Sequence, residues 1–164
     1  MYLFAFLLQL YLKELKMRSF FGVALLCVLI YNGSATLFTD CGSQTGKVAS
    51  VEVSNCPDGQ DVCTLKKGSQ PEITIKFTSN AESKGLKAVV HGVIASVPIP
   101  FPIPQSDACK SGVSCPIKSG ENYTYSNKFS VRRSYPPVSV AVRYELQDDN
   151  SSDVVCVEIP CKIE

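Results

Sequence analysis

Residues 138–146 read VSVAVRYEL, and apolar or aromatic side chains occupy every second position of this stretch. Residues 73–77 read ITIKF and show the same alternation, with a threonine and a lysine between the apolar residues. A period of two with one polar face is typical of a strand in an antiparallel sheet whose other face packs on a core. These two stretches therefore predict an all-β fold.

Four further stretches have strand-like patterns and are separated by segments rich in turn residues: 47–53, 86–97, 123–131 and 154–159. No helical pattern of twelve residues follows residue 35. Six or seven short strands in about 130 residues predict an immunoglobulin-like sandwich of two antiparallel sheets. A small closed barrel is the competing architecture. We expect a single domain over residues 36–164.

The N-terminal residues 1–35 predict a secretory signal peptide. Residues 20–31 are apolar apart from one glycine, and such a run is too short to span a bilayer as a helix, which needs about 20 residues. Basic residues precede the run and small residues follow it: Lys13, Lys16 and Arg18, then Gly33, Ser34 and Ala35. The alternative is an N-terminal anchor that uses residues 1–12 as a second apolar stretch. Met17 is an equally natural start of the chain.

The overall composition excludes several classes of function. Sixteen Lys and Arg residues against fifteen Asp and Glu residues give a net charge of +1, so the chain lacks the strong positive field of a nucleic-acid-binding protein. A hydrophobic content of 45% is sufficient for a packed core. Eight cysteines in 164 residues indicate an oxidising compartment.

Seven of the cysteines follow residue 35, so one of them has no intramolecular partner. Two pairs bracket short loops and predict local disulfides: Cys56 with Cys63, and Cys109 with Cys115. A bridge from Cys41 to Cys156 or Cys161 would close the largest loop and contribute ~4 to 5 kcal/mol in the chain-entropy model.

The alternation of the last strand bears on this choice. Cys156 shares a face with Glu158, whereas Cys161 continues the apolar row of residues 155–159. Parity therefore predicts that Cys161 points inward and is unpaired. It is then either a small buried apolar residue or the donor of an intermolecular disulfide. No metal site is expected, because the chain has one histidine and no C-x-x-C pair.

Two sequons after residue 35 predict N-glycosylation at Asn122 and Asn150, and the acidic, polar turn around Asn150 favours the second. Catalytic residues are not expected. His91, the only histidine, lies in a strand-like segment, no G-x-S-x-G motif accompanies it, and no glycine-rich phosphate-binding loop occurs. The chain therefore predicts a binding protein rather than an enzyme.

Residues 97–104 read VPIPFPIP. Prolines at every second position remove backbone donors and exclude a central strand, but they hold the chain extended. The residues between them form an apolar row: Val97, Ile99, Phe101 and Ile103. The row is either an edge segment packed into the core or the wall of a pocket for an apolar ligand.

This segment belongs to a series of blocks that together resemble one known family: 87–104, with 40–43, 77–80, 109–112, 115–117, 135–136, 146–149 and 156–160. In these blocks the chain resembles the small soluble sterol carrier of the Niemann-Pick type C family, which has an ML (lipid-recognition) domain. The resemblance implies an immunoglobulin-like sandwich whose sheets part to hold a sterol, with the hydroxyl near the opening and the alkyl tail inside. It also implies the disulfides Cys41–Cys156, Cys56–Cys63 and Cys109–Cys115.

The resemblance further implies ligand contacts at Phe101, Val131 and Tyr135, with secondary lining from Val53, Leu65, Val90, Ile99 and Val142. It implies no cofactor, a monomer, a secreted or lysosomal location, and transient contact with a membrane or a membrane transporter through an apolar rim at residues 93–97 and Tyr135. Tyr144 and Val157 stand where the family is expected to have tryptophan. For this reason other apolar ligands, such as fatty acids or semiochemicals, and an innate-immune recognition role remain alternatives to sterol transfer.

Overall fold

The computed structural model describes residues 36–56 and 59–164. The predicted signal peptide, residues 1–35, lies outside them. The described chain forms nine strands: β1 Thr39–Asp40, β2 Gly46–Val53, β3 Cys63–Leu65, β4 Glu72–Ser79, β5 Lys87–Ile94, β6 Val97–Pro100, β7 Asn122–Lys128, β8 Val138–Gln147 and β9 Asp153–Ile163. Helical structure within this part is a single 3₁₀ turn at Ala108–Lys110. No helix among the described residues has the length and apolar character to cross a membrane.

The strands form two sheets. The larger sheet has the order β1-β9-β8-β5-β6, with β3 also paired to β9, and the smaller sheet has the order β2-β4-β7. The prediction of an all-β, immunoglobulin-like sandwich is therefore confirmed, and the alternative of a closed barrel is not formed.

The alternation that predicts the strands also selects the core. On β4, Ile73, Ile75 and Phe77 are at most 1% exposed, and on β8 Tyr144 and Leu146 are completely buried. Each large apolar side chain buried in this way contributes about 1.5–3 kcal/mol. The two inner faces therefore hold the sandwich together.

Two local features differ from the sequence-based expectation. The strand predicted over residues 86–97 is two strands, because the chain reverses at Ala95 and Ser96, whose φ angles are 46° and 67°. Two-residue hairpin turns with positive φ favour asparagine and glycine, so the Ala-Ser sequence is not a turn signal. The short strand β3 pairs in parallel with β9, from Cys63 opposite Cys161 to Leu65 opposite Ile163, although purely antiparallel sheets were predicted.

The proline segment lies at the edge of the larger sheet. β6 pairs only with β5, as expected for a strand in which Pro98 and Pro100 lack a backbone donor. The apolar row is divided: Val97 and Ile99 are 59% and 50% exposed, whereas Phe101 packs partly buried against the core. Its first half therefore faces solvent and its second half turns inward.

The disulfides are Cys41–Cys156, Cys56–Cys63 and Cys109–Cys115, which are the pairs that the resemblance implies. Cys161 is buried and unpaired, as its position in the apolar row predicts. Burial raises the pKa of the Cys161 thiol to about 12, although a hydrogen bond with the backbone of Val142 lowers it in part. At neutral pH this thiol is therefore protonated and a poor nucleophile.

Candidate functional site

A cavity of ≈ 50 Å³ lies between the sheets, at the end of the sandwich where β5, β7 and β9 end and β8 begins. Ten residues line it, and most of them are apolar: Leu65, His91, Gly92, Phe101, Phe129, Val131, Tyr135, Val140, Val142 and Ile163. Both layers of the fold contribute to it, because Phe129 and Val131 follow the smaller sheet whereas Val140 and Val142 belong to the larger one.

The strand register shows how residues of the larger sheet come together at the cavity. Val142 lies opposite Gly92 on β5 and opposite Ile159 on β9. A Cβ atom at Gly92 would lie 3.3 Å from Cγ2 of Val140, closer than an ordinary van der Waals contact. The absence of a side chain at Gly92 therefore keeps this part of the cavity open.

Another part of the lining is aromatic. The Phe101 ring meets Phe129 edge-on with the centroids 6.1 Å apart, and its centroid is 5.9 Å from that of Tyr135. The backbone nitrogen of Phe101 donates to the carbonyl oxygen of Val90 at 2.8 Å, which fixes the segment after β6. Aromatic pairs at such spacings attract one another and supply flat, stiff apolar surfaces.

The structure brings together five of the eight residues that the resemblance implies as ligand contacts: Leu65, Phe101, Val131, Tyr135 and Val142. Val53 and Val90 do not line the cavity, because they are packed in the filled part of the core. Ile99 is half exposed on the edge strand and does not line it either. The other five lining residues were not predicted as ligand contacts: His91, Gly92, Phe129, Val140 and Ile163. Of these, Val140 has a clear signal in the sequence, because it shares the alternating face of Val142.

His91 is among the lining residues, but its imidazole pairs with a carboxylate, and the other charged groups nearby belong to the outer face of the larger sheet. Nδ1 of His91 lies 3.1 Å from Oε2 of Glu145, and Nη2 of Arg143 lies 2.6 Å from Oε1 of Glu158. His91 therefore interacts with a carboxylate, which agrees with its interpretation as a structural residue. Glu145, Asp153 and Cys156 approach one another within 4.8 Å, but Cys156 is in a disulfide and supplies no thiolate for a metal.

Both predicted glycosylation residues are exposed. Asn122 begins β7, where its Oδ1 accepts a hydrogen bond from Oγ1 of Thr78 at 2.7 Å. Asn150 lies in the turn between β8 and β9, and its backbone nitrogen donates to Oδ1 of Asp148 at 2.8 Å. Glycosylation at either residue stays a prediction.

Comparison with known proteins identifies the fold family. The ML domain family model matches residues 35–163, which include the whole described sandwich except its last residue. The chain belongs to the ML domain family.

Relatives of this ML domain protein cover nearly all of its sandwich. "NPC intracellular cholesterol transporter 2" of Danio rerio is 45% identical over 143 residues, which are 87% of this chain and 95% of that protein. "NPC intracellular cholesterol transporter 2 homolog a" of Drosophila melanogaster is 40% identical over 145 residues, 88% of this chain and 98% of that protein. The crystal structure of a Niemann-Pick type C2 protein from the Japanese carpenter ant has a TM-score of 0.74 at 32% identity, over 78% of this chain and 99% of that one. The resemblance to the Niemann-Pick type C carrier is therefore confirmed.

Proposed function

We propose that this ML domain protein binds a sterol between its two sheets and transfers it between membranes. The observation that carries the proposal is the apolar cavity with an aromatic wall at one end of the sandwich. The names of the zebrafish and fruit fly relatives support it, since both are called cholesterol transporters. No part of this function requires catalysis or a cofactor.

Phe101, Val131 and Tyr135 are proposed as the principal contacts. Phe101 and Tyr135 present rigid faces that complement a rigid ring system, and Val131 shapes the wall between them. Burial of apolar ligand surface contributes about 0.8 kcal/mol per methylene group. A sterol can therefore reach the −8.2 kcal/mol or so of a micromolar complex by burial, even after the cost of association.

A bound sterol requires a larger cavity than the one between the sheets of the unliganded protein. The cavity of ≈ 50 Å³ is well below the roughly 300–1,000 Å³ of sites that enclose drug-sized ligands. Two of its wall residues, Phe101 and Tyr135, lie outside the strands, so their rings can turn without breaking the hydrogen bonds of the sheets, including the bond from the Phe101 backbone to Val90. Sterol entry is therefore proposed to displace these two rings and part the sheets at this end.

The surface around this end suits contact with an anionic membrane. Four exposed basic residues directly follow the lining residues Leu65 and Val131: Lys66, Lys67, Arg132 and Arg133. We call them the basic mouth. Their two segments are joined by hydrogen bonds between Gly68 and Val131, at 2.6 Å, and between Val131 and Ser69, at 3.0 Å. Among the described residues, none of the four forms an ion pair with a carboxylate.

An apolar surface lies beside these charges. Val97 and Ile99 are exposed on the hairpin of β5 and β6, at the same end of the sandwich as the cavity. Exposed apolar residues with neighbouring positive charge are typical of proteins that touch lipid surfaces. We propose that the protein docks with this end against the donor or acceptor membrane, acts as a monomer, and works in a secreted or lysosomal location.

The function is tested by extracting the lipid that accompanies the protein from its native source and by a sterol transfer assay. We expect mass spectrometry to find a sterol at a stoichiometry near one. We also expect the protein to accelerate the transfer of a fluorescent sterol between vesicles. A fatty acid or other apolar compound in place of the sterol would contradict the sterol assignment. A stable receptor complex without lipid transfer would contradict the transfer function.

Replacement of the four residues of the basic mouth by alanine is expected to slow sterol transfer to vesicles that contain anionic lipid by at least an order of magnitude. The reason is that each basic residue near such a surface contributes about 1 kcal/mol of attraction. Sterol affinity in solution should not change. The matched control replaces Lys84 and Lys118, two exposed lysines outside the basic mouth, and should leave transfer intact. Equal rates for both variants would contradict membrane docking through the basic mouth.

A further inference from the structure

The outer edge of β6 has no partner strand in the described sandwich. β6 pairs with β5 on one side, and no described strand pairs with its other side. All four residues of β6 are exposed. An open strand edge offers its backbone N–H and C=O groups to a strand of another chain, so it is a common site of association between proteins.

The other edges of the two sheets are covered or short. At the edge of β2, the backbone nitrogen of Thr36 donates to the carbonyl oxygen of Val51 at 2.9 Å. At the edge of β7, the backbone nitrogen of Ser126 donates to the carbonyl oxygen of Ser111 at 2.8 Å. The strands β1 and β3, at the far edge of the larger sheet, are only two and three residues long. β6 is therefore the edge that a strand of a second chain could extend.

The hydrogen bonding to β5 determines which way each backbone group of β6 points. The backbone nitrogen of Phe101 donates to the carbonyl oxygen of Val90 on β5 at 2.8 Å. Backbone groups of successive residues in a strand point alternately to its two sides. Ile99 therefore also points its N–H and C=O groups to β5. Pro98 and Pro100 point theirs to the open edge.

The two prolines leave this open edge with acceptors but no donors, because proline has no N–H group. A second copy that paired antiparallel around Ile99 would place residue 98 of one copy opposite residue 100 of the other. Each such pair of residues exchanges two N–H···O=C bonds. All four bonds between the copies would then require an N–H group that proline lacks.

The side chains of β6 would otherwise favour such pairing. Val97 and Ile99 are 59% and 50% exposed, and alternation places them on the same face of the strand. In the paired arrangement Ile99 would lie opposite Ile99 of the second copy, and burial of these apolar side chains would stabilise the pair. Charged side chains are another common means of blocking an edge, but β6 contains none. Its backbone is therefore what keeps this edge unpaired.

We propose that Pro98 and Pro100 keep the protein monomeric by blocking the pairing of β6 with β6 of a second copy, which leaves Val97 and Ile99 free for contact with a membrane. The second part of this inference rests on the proposed docking of this end against the membrane. The prolines act on self-association rather than on the cavity, because neither of them lines it.

The test is Pro98→Thr combined with Pro100→Thr, which returns two donors to the open edge and leaves the bonds to β5 in place. Sedimentation equilibrium of the unliganded protein should show a monomer for the wild type and dimers for the double variant. Each restored hydrogen bond strengthens association about 2- to 10-fold, so four bonds should lower the dimer dissociation constant by at least an order of magnitude. Each single variant restores two of the four bonds and should give an intermediate result.

Two further variants separate strand pairing from other causes of association. The matched control is Pro102→Thr with Pro104→Thr, which introduces the same two threonines at exposed positions of the same segment beyond the end of β6, and it should stay monomeric. Addition of Ile99→Lys to the dimerising variant should restore the monomer, because two like charges would lie directly opposite one another.

Amide hydrogen exchange locates the interface and supplies the outcomes that would overturn the inference. Dimers of the double variant should show protection of residues 97–100. A double variant that is folded by circular dichroism and remains monomeric would overturn the inference, and so would a wild-type dimer in which these residues are protected. Sterol transfer is measured separately, so a wild-type monomer that transfers no sterol would overturn the proposed function and leave the role of the prolines in self-association standing.

Discussion

Phe101→Ala and Tyr135→Ala are each expected to weaken sterol binding by about 10- to 100-fold. Each substitution removes an aromatic ring from the wall of the cavity, and a buried side chain of this size contributes about 1.5–3 kcal/mol. The rings also contact one another, so the double variant should lose less affinity than the product of the two single effects. Titration with a fluorescent sterol, in the absence of vesicles, measures these changes.

The chain offers a close control in Ile99→Ala. Ile99 lies two residues before Phe101 in the same proline segment, but it is half exposed and outside the cavity lining. Its truncation should leave solution binding unchanged, although the resemblance implies a ligand contact there. Urea unfolding of each variant separates lost affinity from lost folding, because Phe101 also packs against the core. Unchanged affinity in both aromatic variants would refute this site.

The sandwich can be predicted from the sequence because alternate side chains of a strand share one face, and the apolar face is the one that the fold buries. The residues at every second position of ITIKF and VSVAVRYEL are those that the fold buries between its sheets, with the exception of residues at the cavity end. The hairpin turn at Ala95 and Ser96 could not be predicted, because neither residue favours positive φ. β3 is only three residues long, which is too short for any periodic pattern.

The cavity is harder to predict than the core for a physical reason. The alternation of apolar and polar residues predicts that Val53, Val90 and Val142 point inward, and all three lie between the sheets. The alternation does not indicate whether neighbouring side chains fill the space in front of these three residues. That depends on layer separation and on loop residues such as Phe129 and Tyr135, whose positions follow from tertiary packing. Five of the positions that the resemblance implies lie at the cavity, because a resemblance carries three-dimensional information that a pattern lacks, and their contact with a ligand stays a prediction.

One end of this sandwich carries the features of the proposed binding site, and a disulfide lies near the opposite end. The cavity, the basic mouth and the exposed Val97 and Ile99 lie together where β9 ends. Cys41 and Cys156 are joined near the other end of β9, at the edge where β1 pairs with it. A fold that parts its sheets for a ligand loses apolar contacts while doing so, and the covalent link at the far end keeps β1 joined to β9 within the larger sheet.

Removal of this bridge by Cys41→Ala with Cys156→Ala is expected to lower the free energy of unfolding by about 5 kcal/mol. The bridge spans 115 residues, and the entropy that a cross-link removes from the unfolded chain increases with the logarithm of the loop length. The matched control is Cys109→Ala with Cys115→Ala, which opens a loop of only 6 residues and should cost about 2 kcal/mol. Since domains are typically stable by only 5–15 kcal/mol, the first variant should be close to unfolding at 37 °C, and the second should remain folded. Urea titrations of both, followed by circular dichroism, give the two free energies. Equal losses would show that local strain or packing, rather than restriction of the unfolded chain, determines the contribution of these bridges.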